Sequence, residues 1–259
     1  MKNNCFETHN LNHLSPSSIN EYIQNPSHWL LKVSGFKENI GIPAFWRGTA
    51  VDEAISYGLF DTKLSIQDLQ HYALNVFDKK VDEAKAAKLS FDVQKAMNER
   101  SLLPSFIQTG VPYFRQFGEP KGTQGKIVLR LDDIPIDIVG YYDLHYTGIV
   151  RDIKTTSRMP SKLPNSYNRQ LSIYATAMDC IPVVDYVCAS KSRQEVKSIG
   201  VTDVEEHMKV VRKACLNIMN LLSYSDDIHE VASLLMPDFD DWRWTESEKL
   251  AAIELFNMR

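Results

Sequence analysis

Two aspartates and a lysine in the middle of the chain, Asp143, Asp152 and Lys154, have the types and spacing to hold a cation. Segments 134–146 and 149–157 are rich in β-branched and aromatic residues, and Thr147-Gly148 is the only turn signal between them. A two-residue hairpin there pairs Tyr146 with Ile149 and, counting outward, sets Asp143 opposite Asp152. Opposed residues share a face of the sheet with β-carbons roughly 4.5–5.5 Å apart, and Lys154, two positions on, shares it too. Carboxylates that close repel each other unless a cation or a proton lies between them. No histidine or cysteine converges here, so a divalent ion that prefers oxygen, Mg²⁺ or Mn²⁺, suits the set better than zinc. Solvent-facing charges on an ordinary sheet are the bland reading. Against it, Ile149, Val150 and Ile153 make the Asp152 segment look like a buried strand.

After Pro160 and Pro164, residues 165–179 read as a helix, with Gln170 and Tyr174 four apart on one face. Taken together, Gly140-Tyr-Tyr-Asp143, Asp152-Ile-Lys154 and Gln170-Leu-Ser-Ile-Tyr174 resemble the PD-(D/E)XK nucleases, in particular the RecB-type and CRISPR-associated exonuclease branch. Each motif alone is weak; three in order at suitable spacing are specific. The resemblance covers residues 44–190 and, more loosely, the opening Leu14-Ser-Pro-Ser17.

The resemblance implies Mg²⁺- or Mn²⁺-dependent hydrolysis of DNA, with Asp143, Asp152 and the backbone carbonyl of Ile153 as metal ligands. Lys154 would orient or activate the attacking water, and Gln170 and Tyr174 would work beside it. The family's Gly-x-x-x-His, whose histidine binds metal, reads Gly48-Thr-Ala-Val-Asp52 here. Aspartate is also a hard ligand, so Asp52, or else Glu53, takes that place. Some relatives hold an iron–sulfur cluster, but Cys5, Cys180, Cys188 and Cys215 are too irregularly spaced, so none is expected. Three functions stay open: an exonuclease in recombination, repair or DNA-end processing, a catalytically silent DNA-binding subunit, and a structure-specific endonuclease. With no ATP-binding motif in the sequence, a helicase would be a separate partner, as would a strand-annealing protein.

The elements that must position these residues form an α/β chain, a mixed central sheet flanked by helices. The order helix, three strands, helix, strand is that of a restriction-endonuclease-like αβββαβ core. Residues 43–60 and 165–179 supply its helices, with strands at 125–131, 134–146, 149–157 and 183–190, and 196–201 as a further partner. Residues 14–25 and 201–224 form amphipathic helices, the latter with a Thr202/Glu205 capping box. Residues 1–259 make a single domain, with 61–120 as a helical insertion.

Composition, 44% hydrophobic and 24% charged, is that of a globular protein, and no apolar run nears the roughly 20 residues that span a bilayer. With no signal-peptide core at the start, a cytoplasmic protein without membrane partners is expected. The net charge of −4 argues against a protein that coats nucleic acid non-specifically. Local basic residues remain: Arg151, Arg158, Lys162 and Arg169, then Lys191, Arg193 and Lys197. Of these Arg158, Lys162 and Arg169 are candidate substrate contacts. Trp242 and Trp244 could stack on bases, though packing against the body is the better expectation.

Overall fold

The sheet is built around one long strand with neighbours on both edges. The computed structural model describes residues 4–190 and 193–258. In chain order the elements are α1 (Cys5–Thr8), β1 (His13–Leu14), α2 (Pro16–Gln24), α3 (Pro26–Val33), α4 (Pro43–Phe60), α5 (Ile66–Ala86) and α6 (Val93–Arg115). There follow β2 (Gly122–Leu129), β3 (Asp137–Tyr146), β4 (Ile149–Thr156), α7 (Asn165–Met178), β5 (Ile181–Ala189), β6 (Gln194–Gly200), α8 (Val204–Leu222), α9 (Ile228–Ala232) and α10 (Glu246–Leu255).

The sheet runs β1-β3-β4-β5-β6, with β2 also paired to β3. Pairs β1·β3 and β4·β5 are parallel, and β2·β3, β3·β4 and β5·β6 antiparallel, which makes the sheet mixed. Ile138 pairs with both Leu14 and Leu129, and Leu144 with both Thr123 and Arg151. A strand has only two edges, so β2 takes one and β1 and β4 divide the other. Between them, among the described residues, no strand pairs with 139–143 on that second edge.

Both faces of the sheet are covered, as its alternation of apolar residues requires. Ile138, Val150, Val184 and Tyr186 pack on one side with Leu171 and Ile173 of α7, Trp29 to Leu31 of α3 and the apolar stripe of α8. Leu144, Ile153, Val187 and Ala189 pack on the other with α4, α5 and α6. Helix α4 buries Ala50, Val51, Ala54 and Ile55, a small-residue stripe that brings its backbone close to β4 and carries Asp52 with it. No helix among the described residues is long and apolar enough to cross a membrane.

Two local expectations are corrected. Strand β3 begins at Asp137 rather than Ile134, because Pro135 has no N–H to offer a ladder. Helix α8 has no Thr202/Glu205 capping box; Asp203 enters it at φ +56°, and the Thr202 hydroxyl donates to the Asp203 carboxylate instead. Between α5 and α6 the chain turns at Lys88 (φ +55°), and Ser90 bridges to Ile40.

Candidate active site

The site opens where β3 and β4 part. The hairpin register is Tyr146 with Ile149, His145 with Val150 and Leu144 with Arg151, and the ladder ends one step short of Asp143 and Asp152. There the Ile153 N–H donates to Asp143 Oδ2 at 2.6 Å, so a side-chain carboxylate takes the place of the next main-chain acceptor. Gln124 of β2 donates its amide to Asp143 Oδ1 at 3.3 Å. Its own backbone sits at φ +50°, a strained conformation set directly across from Asp143. Burial, and next the charge of Asp152, push the Asp143 carboxyl up to about 7.

Asp152 is buried, with 1% of its surface exposed, and each oxygen faces a different side chain. Gln170 donates to Oδ1 at 3.0 Å, and the Lys154 ammonium lies 2.6 Å from Oδ2, an ion pair misaligned for a hydrogen bond. Burial alone would lower the Lys154 pKa, but the charges of Asp152 and Asp143 reverse this and hold it well above its ordinary range. The Gln170 amide also donates to the Tyr174 hydroxyl at 3.0 Å, and burial followed by the Asp152 charge pushes that phenol up to about 12. The Tyr174 ring rests on Gly140: a β-carbon there would lie 2.6 Å from Cε1. A physical reason for the Gly-x-x-Asp spacing follows, since only a bare backbone lets Tyr174 come close enough to steady Gln170, and Gln170 steadies Asp152.

Helix α4 brings in the third carboxylate. Asp52 is raised well above the usual carboxylate range by burial, then by Asp143, with Lys154 opposing and Asp152 adding to the shift. Glu53, the alternative, lines a separate groove with Tyr72, Asn75, Lys79 and Lys80. Asp52 Oδ1 is buried and has no hydrogen-bond partner, a costly condition in a folded interior. Among the described residues no three acidic, histidine or cysteine side chains are already gathered as a ligand shell. Lys154, Gln170, Gln124 and the Ile153 N–H occupy oxygens that such a shell would use. The residues fit a divalent cation all the same: an orphaned buried carboxylate oxygen, two more carboxylates coupled to it, and oxygen donors throughout.

The basic residues divide. Arg158 and Lys162 stand exposed on the loop between β4 and α7. Arg169 is buried, donates its Nε–H to Asn20 Oδ1 at 2.6 Å, and ties α7 to α2. Arg151 is likewise buried, its Nη1 donating to both carboxylate oxygens of Asp185 at 2.9 Å. Arg193 pairs with Glu195, Lys197 is exposed, and Lys191 lies outside the described residues. Cys188 and Cys215 are buried, whereas Cys5 and Cys180 are partly open. Two neighbours of the site escaped the sequence reading. Gln124 left no signal there, since a left-handed backbone has no letter. Tyr167 did, because it precedes Gln170 by three and Tyr174 by seven on one helix face; its ring centroid lies 5.1 Å from Lys154 Nζ.

A mixed sheet between helical layers, with carboxylates and a lysine where two strands separate, defines the restriction-endonuclease-like class of nuclease folds. The chain belongs to the PD-(D/E)XK nuclease superfamily, whose sequence profile matches residues 13–250. Members of that superfamily generally use divalent metals such as Mg²⁺ or Mn²⁺. Among solved structures, the chain is similar to a candidate exonuclease from Eubacterium rectale, with TM-score 0.55 and 14% identity over 81% of this chain and 82% of that one. At that identity the likeness speaks for the fold alone. It is also similar to SSO0001, at 16% identity and TM-score 0.32 over 56% of this chain and 79% of that one, too low to carry an argument. No curated protein matches the chain.

Proposed function

We propose that this protein is a Mg²⁺- or Mn²⁺-dependent DNA exonuclease acting in the cytoplasm in recombination, repair or the processing of DNA ends. The observation that supports it most is the buried, unpartnered Oδ1 of Asp52, a carboxyl that feels the charges of both Asp143 and Asp152, with the Lys154 ammonium paired to Asp152. Asp52, Asp143, Asp152 and the Ile153 carbonyl would hold the metal. When bound, it polarises the scissile phosphate, lowers the pKa of a water and relieves charge on the leaving oxygen. Lys154, kept protonated by the two aspartates, donates to the phosphate oxygens as negative charge builds there. Gln170 and Tyr174 fix the direction of the Asp152 carboxylate. Residues 61–120 are read as a helical insertion in a single domain, bracing α4 and so Asp52.

The test is digestion of end-labelled linear DNA and of closed circles, with Mn²⁺ or with EDTA. Linear DNA is expected to be degraded from its ends only with the metal, and Lys154→Ala to slow it roughly 10²–10³-fold. Full activity in that variant, or in EDTA, would overturn the reading. Cleavage of closed circles would favour a structure-specific endonuclease. A silent DNA-holding subunit has one observation on its side, the engagement of Asp143 and Asp152 oxygens by neighbouring side chains. It predicts no carboxylate-dependent Mn²⁺ binding in a titration.

A further inference from the structure

A groove of about 330 Å³ leaves the candidate active site along α2 and α7, lined by Ser17, Gln24, Ser166, Tyr167, Gln170 and Arg243. One end is Gln170, which touches Asp152. At the other is Arg243, which donates to Gln24 at 3.3 Å and lies 5.0 Å from the ring centroid of Trp242. Trp242 is 85% exposed, while the chain's other tryptophans, Trp29, Trp46 and Trp244, are at most 9% exposed. An indole held open beside an arginine that lines the groove has no packing role to explain it.

The chemistry of the lining selects the occupant. The wall carries hydroxyls from Ser17, Ser166 and Tyr167 and amides from Asn20, Gln24 and Gln170, with Tyr167 and the His28 imidazole as its rings. The acidic side chain in the wall, Glu21, is matched by His28 at 2.8 Å and Lys32 at 2.5 Å, and Arg243 is itself paired with Asp241. The groove's volume sits at the small end of the roughly 300–1,000 Å³ of small-molecule pockets, room for a nucleotide and not for a double helix. Tyr167 in the wall and Trp242 beside Arg243 offer aromatic faces of the kind on which unpaired bases stack.

We propose that this groove is a single-strand track, in which an unpaired base stacks on Trp242 and the strand continues past Gln24 and Tyr167 to the carboxylates. The inference rests on the nuclease reading and narrows its substrate to single-stranded or frayed ends. Because Trp242 is the one exposed tryptophan, intrinsic fluorescence reports on it directly. In EDTA, where nothing is cut, a short oligothymidylate quenches the emission and a hairpin-capped duplex does not. Trp242→Ala removes the quench and weakens single-strand binding, measured by anisotropy of a labelled oligomer, roughly 5–150-fold, the span expected for one stacked base. Trp242→Phe keeps part of the affinity. Absence of quenching, equal quenching by the duplex, or unchanged affinity in Trp242→Ala would each overturn the track. None of those outcomes bears on catalysis, which Lys154→Ala tests separately with the cleavage assay.

Discussion

Replacing Asp143 by asparagine removes a charge the metal-free fold carries at a cost. The Asp143 carboxyl rises from an ordinary 3.8 to about 7 because it is buried and because Asp152 repels its ionised form. Between those values the unfolded chain has released a proton that the folded one retains, so stability is fullest below 3.8 and falls as pH climbs through about 7. The slope is about 1.4 kcal/mol per pH unit, and over the whole span the cost reaches about 4 kcal/mol. Asparagine keeps an oxygen for the Ile153 N–H and never ionises, so it escapes the cost. At roughly 2–4 °C per kcal/mol, Asp143→Asn is expected to melt several degrees above wild type at pH 8 in EDTA. At pH 5 the advantage is smaller, since wild type then still holds the proton. Added Mn²⁺ raises the wild-type melting temperature and leaves the variant's in place, while nuclease activity is lost. Melting curves at pH 5, 6.5 and 8 decide it. A variant that melts below wild type at pH 8, or an offset that does not move with pH, would refute the reasoning.

Gly140→Ala forces a methyl against the Tyr174 ring and is expected to cost about 1–3 kcal/mol, with turnover falling alongside; an unchanged melting temperature would rule out the contact. His28 bonds to both Glu21 and Glu248, joining α2 and α3 to α10. Burial draws its pKa down, but the Glu21 hydrogen bond and the Glu248 charge outweigh this and leave it above 6.5, while Glu21, despite its own burial, is held below 4.5 by His28 and Lys32. The contacts therefore stabilise most between those two values and fade as pH rises past the raised His28 value, so His28→Asn should flatten the fall in melting temperature between pH 6.5 and 9. Equal slopes in variant and wild type would count against it. Arg169→Lys, which loses the Nε–H to Asn20, should lower stability and leave single-strand affinity unchanged by anisotropy; reduced affinity at unchanged stability would assign Arg169 to the substrate.

The parts of this architecture that the letters disclosed are those set by local period. Residues 43–60 are helical because Ala50, Val51, Ala54 and Ile55 recur at its spacing, and the hairpin register follows from Thr147-Gly148 by counting. Counting could not reveal that the ladder stops before Asp143, since the Ile153 N–H changes partner through a side chain. Strand β1 is two residues long, too short for any pattern, and is held by its parallel pairing to Asp137 and Ile138. Arginine letters suggest surface, yet Arg151 and Arg169 are buried by partners far along the chain, Asp185 and Asn20. Of the two tryptophans near the carboxyl end, Trp244 packs under His28 and Phe239 while Trp242 does not, a difference no single-residue propensity carries.

The unpaired edge of β3 has a bearing on how the protein behaves in company. A bare strand edge invites another chain to add to it, which is how sheets polymerise. Here β1 and β4 stand at its two ends like stops, so only the stretch 139–143 is open and an incoming strand would collide with one or the other. The carboxylates can thus sit where the sheet parts without that gap offering another chain a strand-length edge.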